Sequence, residues 1–165
     1  MSQYLNKAVL RIIYLANFES RMRYAIMFYG SGSEAVRVFI LQKRVLRKML
    51  HLSYRESCRG HFRANNILTF FAVYIQECLL FIFKNQKLFI RLGCSSSHDT
   101  RSVDFLYPKH RYTLTEKSTH YNCIKFFNIL PIEPKNIGDL KIFKRKIHEL
   151  LMKLEPYSIP EYVNM

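Results

Sequence analysis

Two residue pairs carry the donor atoms of a metal site. Cys58-x-x-His61 and Cys94-x-x-x-His98 each bring a thiol near an imidazole, and four such ligands can close a tetrahedral zinc site. The spacing of the second pair and the 32 residues between the pairs match no common zinc finger. Free thiols and surface histidines account for the same residues, so no metal and no cofactor is expected. Carboxylates are scarce: three Asp (Asp99, Asp104, Asp139) and nine Glu. Two-metal polymerase chemistry needs carboxylates held together to clamp ions about 3.5–4 Å apart, and no two Asp are adjacent. Asp99 and Asp104 read as solvated acids or turn formers in a polar stretch. Phosphate-binding glycine loops, a G-x-S-x-G elbow and H-E-x-x-H are absent as well. The sequence therefore supplies no catalytic residue, and the chain alone is expected not to be an enzyme.

Binding chemistry is better represented. At 100° per residue, Arg37, Lys43, Arg44, Arg47 and Lys48 fall opposite an apolar arc of Val38, Leu41, Val45, Leu46 and Met49. Arg21 and Arg23 precede them, and Glu34 is the only acid between Ser20 and Arg55. A guanidinium offers phosphate oxygens a planar fork, and such contacts position a nucleic-acid backbone without reading sequence. Tyr54 and Arg55 are weaker candidates for stacking or sugar contacts. The alternative for the cations is a solvated helix face; the one-sided sign favours phosphate. Charge distribution agrees. Of a net +14, residues 1–63 hold twelve Lys and Arg against three Glu, whereas residues 64–119 contribute +3 and residues 120–165 contribute +2. An anionic membrane surface is the rival polyanion.

The elements that position these residues are predicted to be helices. In 165 residues, 49% apolar with 24 Phe and Tyr, a core is assured, while only 5 Gly and 5 Pro leave too few turns for a sandwich, a barrel or a glycine-loop nucleotide fold. The expected fold class is all-α. Ser2 caps a long first helix over 3–29 with Leu5, Val9, Ile12, Ala16 and Tyr24 inward, and the run from Gly30 to Ser33 ends it. A second helix over 34–52 completes a helical hairpin with a basic outer face. An apolar helix over 68–85 follows. Its stretch from Ile67 to Phe83 is 17 residues long with Gln76 and Glu77 near its middle, which marks a buried core helix rather than a membrane span. A polar loop spans about 93–108. A short helix over 120–128 stops at Leu130-Pro131, and Asp139 caps a last helix to about Leu154 with Leu140, Phe143, Ile147, Leu150, Leu151 and Leu154 in one stripe. The tail from Pro156 is polar and aromatic. The expected division is 1–66, a basic helical region, and 67–165, a small helical subunit carrying the irregular loop. Cys58, Cys78, Cys94 and Cys123 form no C-x-x-C pair and follow no signal peptide, so they read as intracellular thiols in the nucleus or cytoplasm, not in a secreted protein.

An ordered run of motifs adds a resemblance. Leu10-x-x-Ile13-Tyr14, Glu19-Ser20-x-x-Arg23-Tyr24-x-Ile26-x-Phe28-Tyr29-Gly30 and Leu41-Gln42-Lys43-Arg44-x-x-Arg47 resemble the segment after the catalytic palm in reverse transcriptases of non-LTR (LINE-type, Jockey-like) retrotransposons. Tyr54-Arg55-x-Ser57-Cys58-Arg59, Glu77-Cys78-Leu79-Leu80-Phe81, Thr100-Arg101 and Arg111-x-x-Leu114-x-Glu116-Lys117-Ser118-x-x-Tyr121-x-x-Ile124-Lys125-x-x-Asn128-x-Leu130-Pro131 resemble the C-terminal region of the same polyproteins. Phe143-Lys144-x-Lys146 and Tyr157-Ser158 complete the series. The family often carries Gly where Ala25 stands and Trp where Tyr29 stands.

The resemblance implies that residues 1–66 correspond to the thumb, which holds the template–primer duplex by its backbone, and residues 67–165 to the C-terminal extension, with proposed roles in binding template RNA and target DNA. The family's fingers and palm, with the paired catalytic aspartates, lie upstream of the matched part. A truncated genomic copy is thus implied, an RNA-directed DNA polymerase fragment with RNA or DNA and the fingers–palm part as partners.

Overall fold

The computed structural model describes residues 6–90, 104–116 and 118–165, and among them every regular element is helical. The all-α expectation holds. Ser2, Leu5, Cys94, His98, Asp99 and most of the polar loop over 93–108 lie outside the described residues. Two compact units emerge: Met1–Tyr74 with Leu151–Met165, and Ile75–Leu150. The division read from sequence, at 66/67, follows chain order; packing instead groups the C-terminal residues with the N-terminal ones.

In the first unit, the single long helix expected over 3–29 is broken. Helix α1 (Lys7–Tyr14) is capped by Asn6, whose side chain accepts from the Ala8 amide, and it passes into a π-helical turn at Leu15–Glu19. Helix α2 (Ser20–Arg23) follows; Tyr24 then turns extended and Ala25 takes a left-handed conformation at φ 54°, so α3 (Ile26–Tyr29) starts afresh. The wider turn and the break re-phase the inward face. Tyr14, Met22 and Ile26 are buried, whereas Val9, Ile12 and Tyr24, expected inward, are exposed, Tyr24 at 83%. Gly30 then meets Tyr74 so closely that a β-carbon there would stand 2.2 Å from the ring.

Helix α4 (Ala35–Leu50) buries Ala35, Phe39, Gln42 and Leu46. Its inward arc is turned by roughly 70°, at 100° per residue, from the one predicted. Gln42 is not among the predicted inward residues, yet its side chain is fully buried and hydrogen-bonded. Of the predicted arc only Leu46 is buried; Leu41 is 49% exposed. Helix α5 (His61–Ala64) brings in Phe62, and the start of α6 (Phe70–Lys84) contributes Phe70 and Phe71. Thr69 caps α6, accepting from the Ala72 amide at 3.2 Å.

The C-terminal residues close this unit. Thr69 Oγ1 donates to the Pro156 carbonyl at 2.6 Å, the Gly60 amide donates to both carboxylate oxygens of Glu155 at 2.8 and 3.0 Å, and Arg59 pairs with Glu161 at 3.1 Å. Tyr157 inserts edge-on against Phe39 and Phe62, with ring centroids 4.9 and 6.0 Å away. A last helix, α11 by chain order (Ile159–Val163), begins at Ser158, whose hydroxyl accepts from the Glu161 amide, and buries Tyr162 completely.

The second unit is built on the remainder of α6, where Ile75, Cys78, Leu79 and Ile82 are fully buried. Among the described residues no helix is long and apolar enough to cross a membrane. Cys58, Cys78 and Cys123 are buried, and burial pushes the Cys58 thiol up from its ordinary value. A 3₁₀ turn at Gln86–Leu88 follows α6. Phe105 is held by both halves of the Asn128 side chain: its amide donates to Oδ1 and its carbonyl accepts from Nδ2, each at 2.9 Å. Helix α7 (Thr113–Glu116) precedes α8 (Thr119–Ile129), which Ser118 caps and Leu130 ends, one residue either side of the predicted span. Helix α9 (Ile132–Lys135) was not anticipated; it carries Lys135, whose ammonium reaches Asp104 at 2.7 Å and the Asn128 carbonyl at 2.8 Å. Asp104 is therefore a paired structural acid. Helix α10 (Leu140–Leu154) starts at Asp139 as expected, with Oδ1 accepting from the amides of Lys141 and Ile142 at 2.8 and 2.9 Å. Phe143, Ile147 and Leu151 form its fully buried stripe, Phe143 stacked on Phe83 at 4.3 Å, while Leu140 at the stripe's edge stays exposed.

Candidate nucleic-acid interface

With Ala35, Phe39, Gln42 and Leu46 committed inward, helix periodicity turns residues 37, 40, 41, 44 and 48 to the opposite side of α4. Arg44 and Lys48, one turn apart, are exposed there, and among the described residues neither meets an acid. Arg37 is exposed as well and pairs with Glu34 one turn back at 3.0 Å. Such an exposed pair contributes little to stability.

The two other cations of the predicted strip sit at its edge. Lys43 is half-buried, with its ammonium 4.7 Å above the Phe39 ring and 5.9 Å from the Tyr157 ring, a cation–π placement that fastens it to the aromatic core. Arg47 is half-buried; its Nε donates to the Glu56 carbonyl at 3.0 Å. That bond fixes the plane of the guanidinium and leaves the two terminal nitrogens to whatever lies beside the helix.

What lies beside it is a cleft of about 770 Å³ lined by Leu41, Arg44, Val45, Arg47, Lys48, His51, Leu52 and Tyr54. Its form follows from the end of α4. His51 adopts a left-handed conformation at φ 56°, its amide and that of Leu52 both donate to the Arg47 carbonyl, and the chain turns away from the helix axis. Tyr54 emerges from this turn 78% exposed. Arg55, next to it, is exposed but does not line the cleft. A smaller depression of about 260 Å³, lined by Arg37, Ile40, Leu41 and Arg44, shares two residues with the cleft and extends its cationic rim toward the start of α4.

No carboxylate lines either depression. Glu56, the nearest acid along the chain, is engaged by the Ser53 amide at 3.1 Å and faces His61 at 3.8 Å. Among the described residues no group of three His, Cys, Asp or Glu side chains could hold a metal ion; the Cys94 and His98 pair lies outside them.

Sequence reading missed two features. His51 and Leu52 line the cleft, yet nothing in their types announces the left-handed turn that puts them there. In the second unit, Lys141, Lys144 and Arg145 form an exposed basic face on α10 away from Phe143 and Ile147; their spacing is visible in the sequence once the apolar stripe is placed. Compared with known protein families, curated proteins and solved structures, the chain matches none.

Proposed function

We propose that this chain is a nucleic-acid-binding, non-catalytic C-terminal fragment of a non-LTR retrotransposon reverse transcriptase, and that it grips backbone phosphates with the outer face of α4. The observation that carries the binding reading is the combination of Arg44 and Lys48, exposed one turn apart, with Arg47 oriented by the Glu56 carbonyl and no carboxylate in the cleft they line. Neighbouring cations without local acids attract a polyanion, and helical spacing sets Arg44 and Lys48 at about 5–6 Å between β-carbons. The family part of the reading draws support from Ala25. Its φ of 54° is one that glycine adopts without steric cost, and glycine is what that family often carries at this place. With three Asp scattered along the sequence, the chain has no adjacent pair for the family's metal chemistry.

The test replaces Arg44 and Lys48 with Glu, leaving Lys43 and Arg47 in their structural contacts. Exposed substitutions of this kind usually change stability by less than about 0.5 kcal/mol. Affinity for duplex RNA, RNA–DNA hybrid and DNA should fall, and the log–log salt slope should shrink by roughly 0.7–0.9 per cation lost, with little dependence on sequence. Unaltered affinity and slope would overturn the proposal. A second reading, a basic helical scaffold or membrane-surface protein, is favoured by one observation: Val36, Ile40 and Leu41 are exposed on the same helix at 56%, 39% and 49%. It predicts binding of the unaltered chain to anionic vesicles in preference to nucleic acid.

A further inference from the structure

We infer that the cleft at the end of α4 takes one unpaired nucleotide of a single strand, its base against Tyr54 and its phosphate on the helix. The inference rests on the reading of α4 as a phosphate-binding face and adds to it the form of nucleic acid that is held.

Cations alone do not distinguish duplex from single strand. The cleft adds what a duplex cannot use: apolar lining from Leu41, Val45 and Leu52 and the ring of Tyr54, beside the cations Arg44, Arg47 and Lys48. Its volume of about 770 Å³ lies in the range that encloses a small ligand. In a duplex the base faces are stacked on one another and the phosphates are the outermost groups, so only the rim would be engaged. An unpaired nucleotide presents both parts at once, an aromatic face and an anion. Tyr54 suits the first: it is 78% exposed, and among the described residues its ring stacks on no other. Aromatic rings left this open are the platforms on which bases stack with little regard to their identity. Arg44, Arg47 and Lys48 suit the second, with the Arg47 fork already oriented by its bond to the Glu56 carbonyl. Charge complementarity chooses this occupant over an apolar segment of protein, because three of the eight lining residues are Arg or Lys and none is acidic.

The experiment uses the full chain and a single-stranded RNA of roughly 12 nucleotides carrying the fluorescent base analogue aminopurine at its centre, alone or annealed to its complement. Three variants are compared with the unaltered protein: Tyr54→Ala, Tyr54→Phe, and Arg44→Glu with Lys48→Glu. The unaltered protein should quench the analogue in the single strand and not in the duplex. Tyr54→Ala should abolish the quenching and weaken single-strand binding roughly tenfold, the loss of one stacked base, while duplex affinity stays the same. Tyr54→Phe should retain both signals, and the double charge reversal should weaken both forms. If Tyr54→Ala leaves single-strand affinity and quenching untouched while the charge reversal still weakens both forms, the cleft inference falls and the phosphate-face reading stands. If neither form binds, or only anionic vesicles do, both fall. Displacement of the strand by an equal concentration of adenosine monophosphate would assign the cleft to a free nucleotide and overturn the strand reading.

Discussion

The side-chain oxygen of Gln42 accepts from the backbone amide of Phe70 at 2.7 Å, joining the middle of α4 to the first residue of α6 across 28 positions of sequence. The same side chain donates through Nε2 to the Leu68 carbonyl at 2.9 Å and to the Tyr14 hydroxyl at 2.7 Å. A helix start leaves amides without intrahelical partners; here Thr69 satisfies the Ala72 amide and Gln42 that of Phe70. Burial meanwhile drives the Tyr14 hydroxyl well above its ordinary value, so it stays neutral. This bond also sets the register of α4, because turning Gln42 inward turns Arg44 and Lys48 outward. Gln42→Leu should destabilise the protein by about 2–5 kcal/mol, since each buried polar group left unpaired costs about 1–3 kcal/mol. Urea denaturation measures it; a loss under about 0.5 kcal/mol would show that the network contributes nothing.

Ala25 provides a test of opposite sign. A residue with a β-carbon held left-handed costs roughly 1–2 kcal/mol, part of which glycine returns as greater freedom in the unfolded chain. Ala25→Gly should therefore stabilise by about 0.5–1 kcal/mol, whereas Ala8→Gly, exposed in the first turn of α1, should destabilise by up to about 0.5 kcal/mol. Thermal melts of the two variants should move in opposite directions.

The helices over α6, α8 and α10 were legible because their signals are local: a continuous apolar run, a proline stop, an aspartate cap. The rotation of α4 was not legible. Gln42 counts as polar in any periodicity, and its three partners lie at positions 14, 68 and 70, remote in sequence. The break at Ala25 was hidden for a related reason, since alanine is the residue that most favours continuing a helix. The cations of the candidate site were all visible as a basic run. Their separate fates, Lys43 on aromatic rings and Arg44 in the open, depended on the rotation and on Tyr157, which returns from the far end of the chain.

Gly30 is required by proximity. Its φ of −65° suits any residue, but a β-carbon would stand 2.2 and 2.5 Å from two atoms of the Tyr74 ring and 2.7 Å from the Ile26 carbonyl oxygen. Neither a fully buried ring nor a helix carbonyl can move aside cheaply. Gly30→Ala should cost about 1–3 kcal/mol through overpacking, and Tyr74→Leu introduced with it should recover part of that loss. A double-mutant cycle reads the coupling; additive effects would show that the two residues do not meet.

The final prediction concerns pH and belongs to the second unit. His110 is held above its ordinary value of 6.5, first by the bond between Nδ1 and the Pro108 carbonyl at 3.1 Å and then by Nε2 against the Glu116 carboxylate at 3.0 Å. Both contacts favour the imidazolium, in which each ring nitrogen donates. Because the folded value is the higher one, the stabilisation is fully present below the unfolded value near 6.5 and is lost as pH rises through the folded value. Proton titration by nuclear magnetic resonance should place the His110 midpoint above 6.5 in the unaltered chain. In Glu116→Gln the midpoint should fall only part of the way back, since the Pro108 carbonyl remains. A midpoint at or below the ordinary value, or one insensitive to Glu116→Gln, would mean that these contacts do not hold the proton in solution.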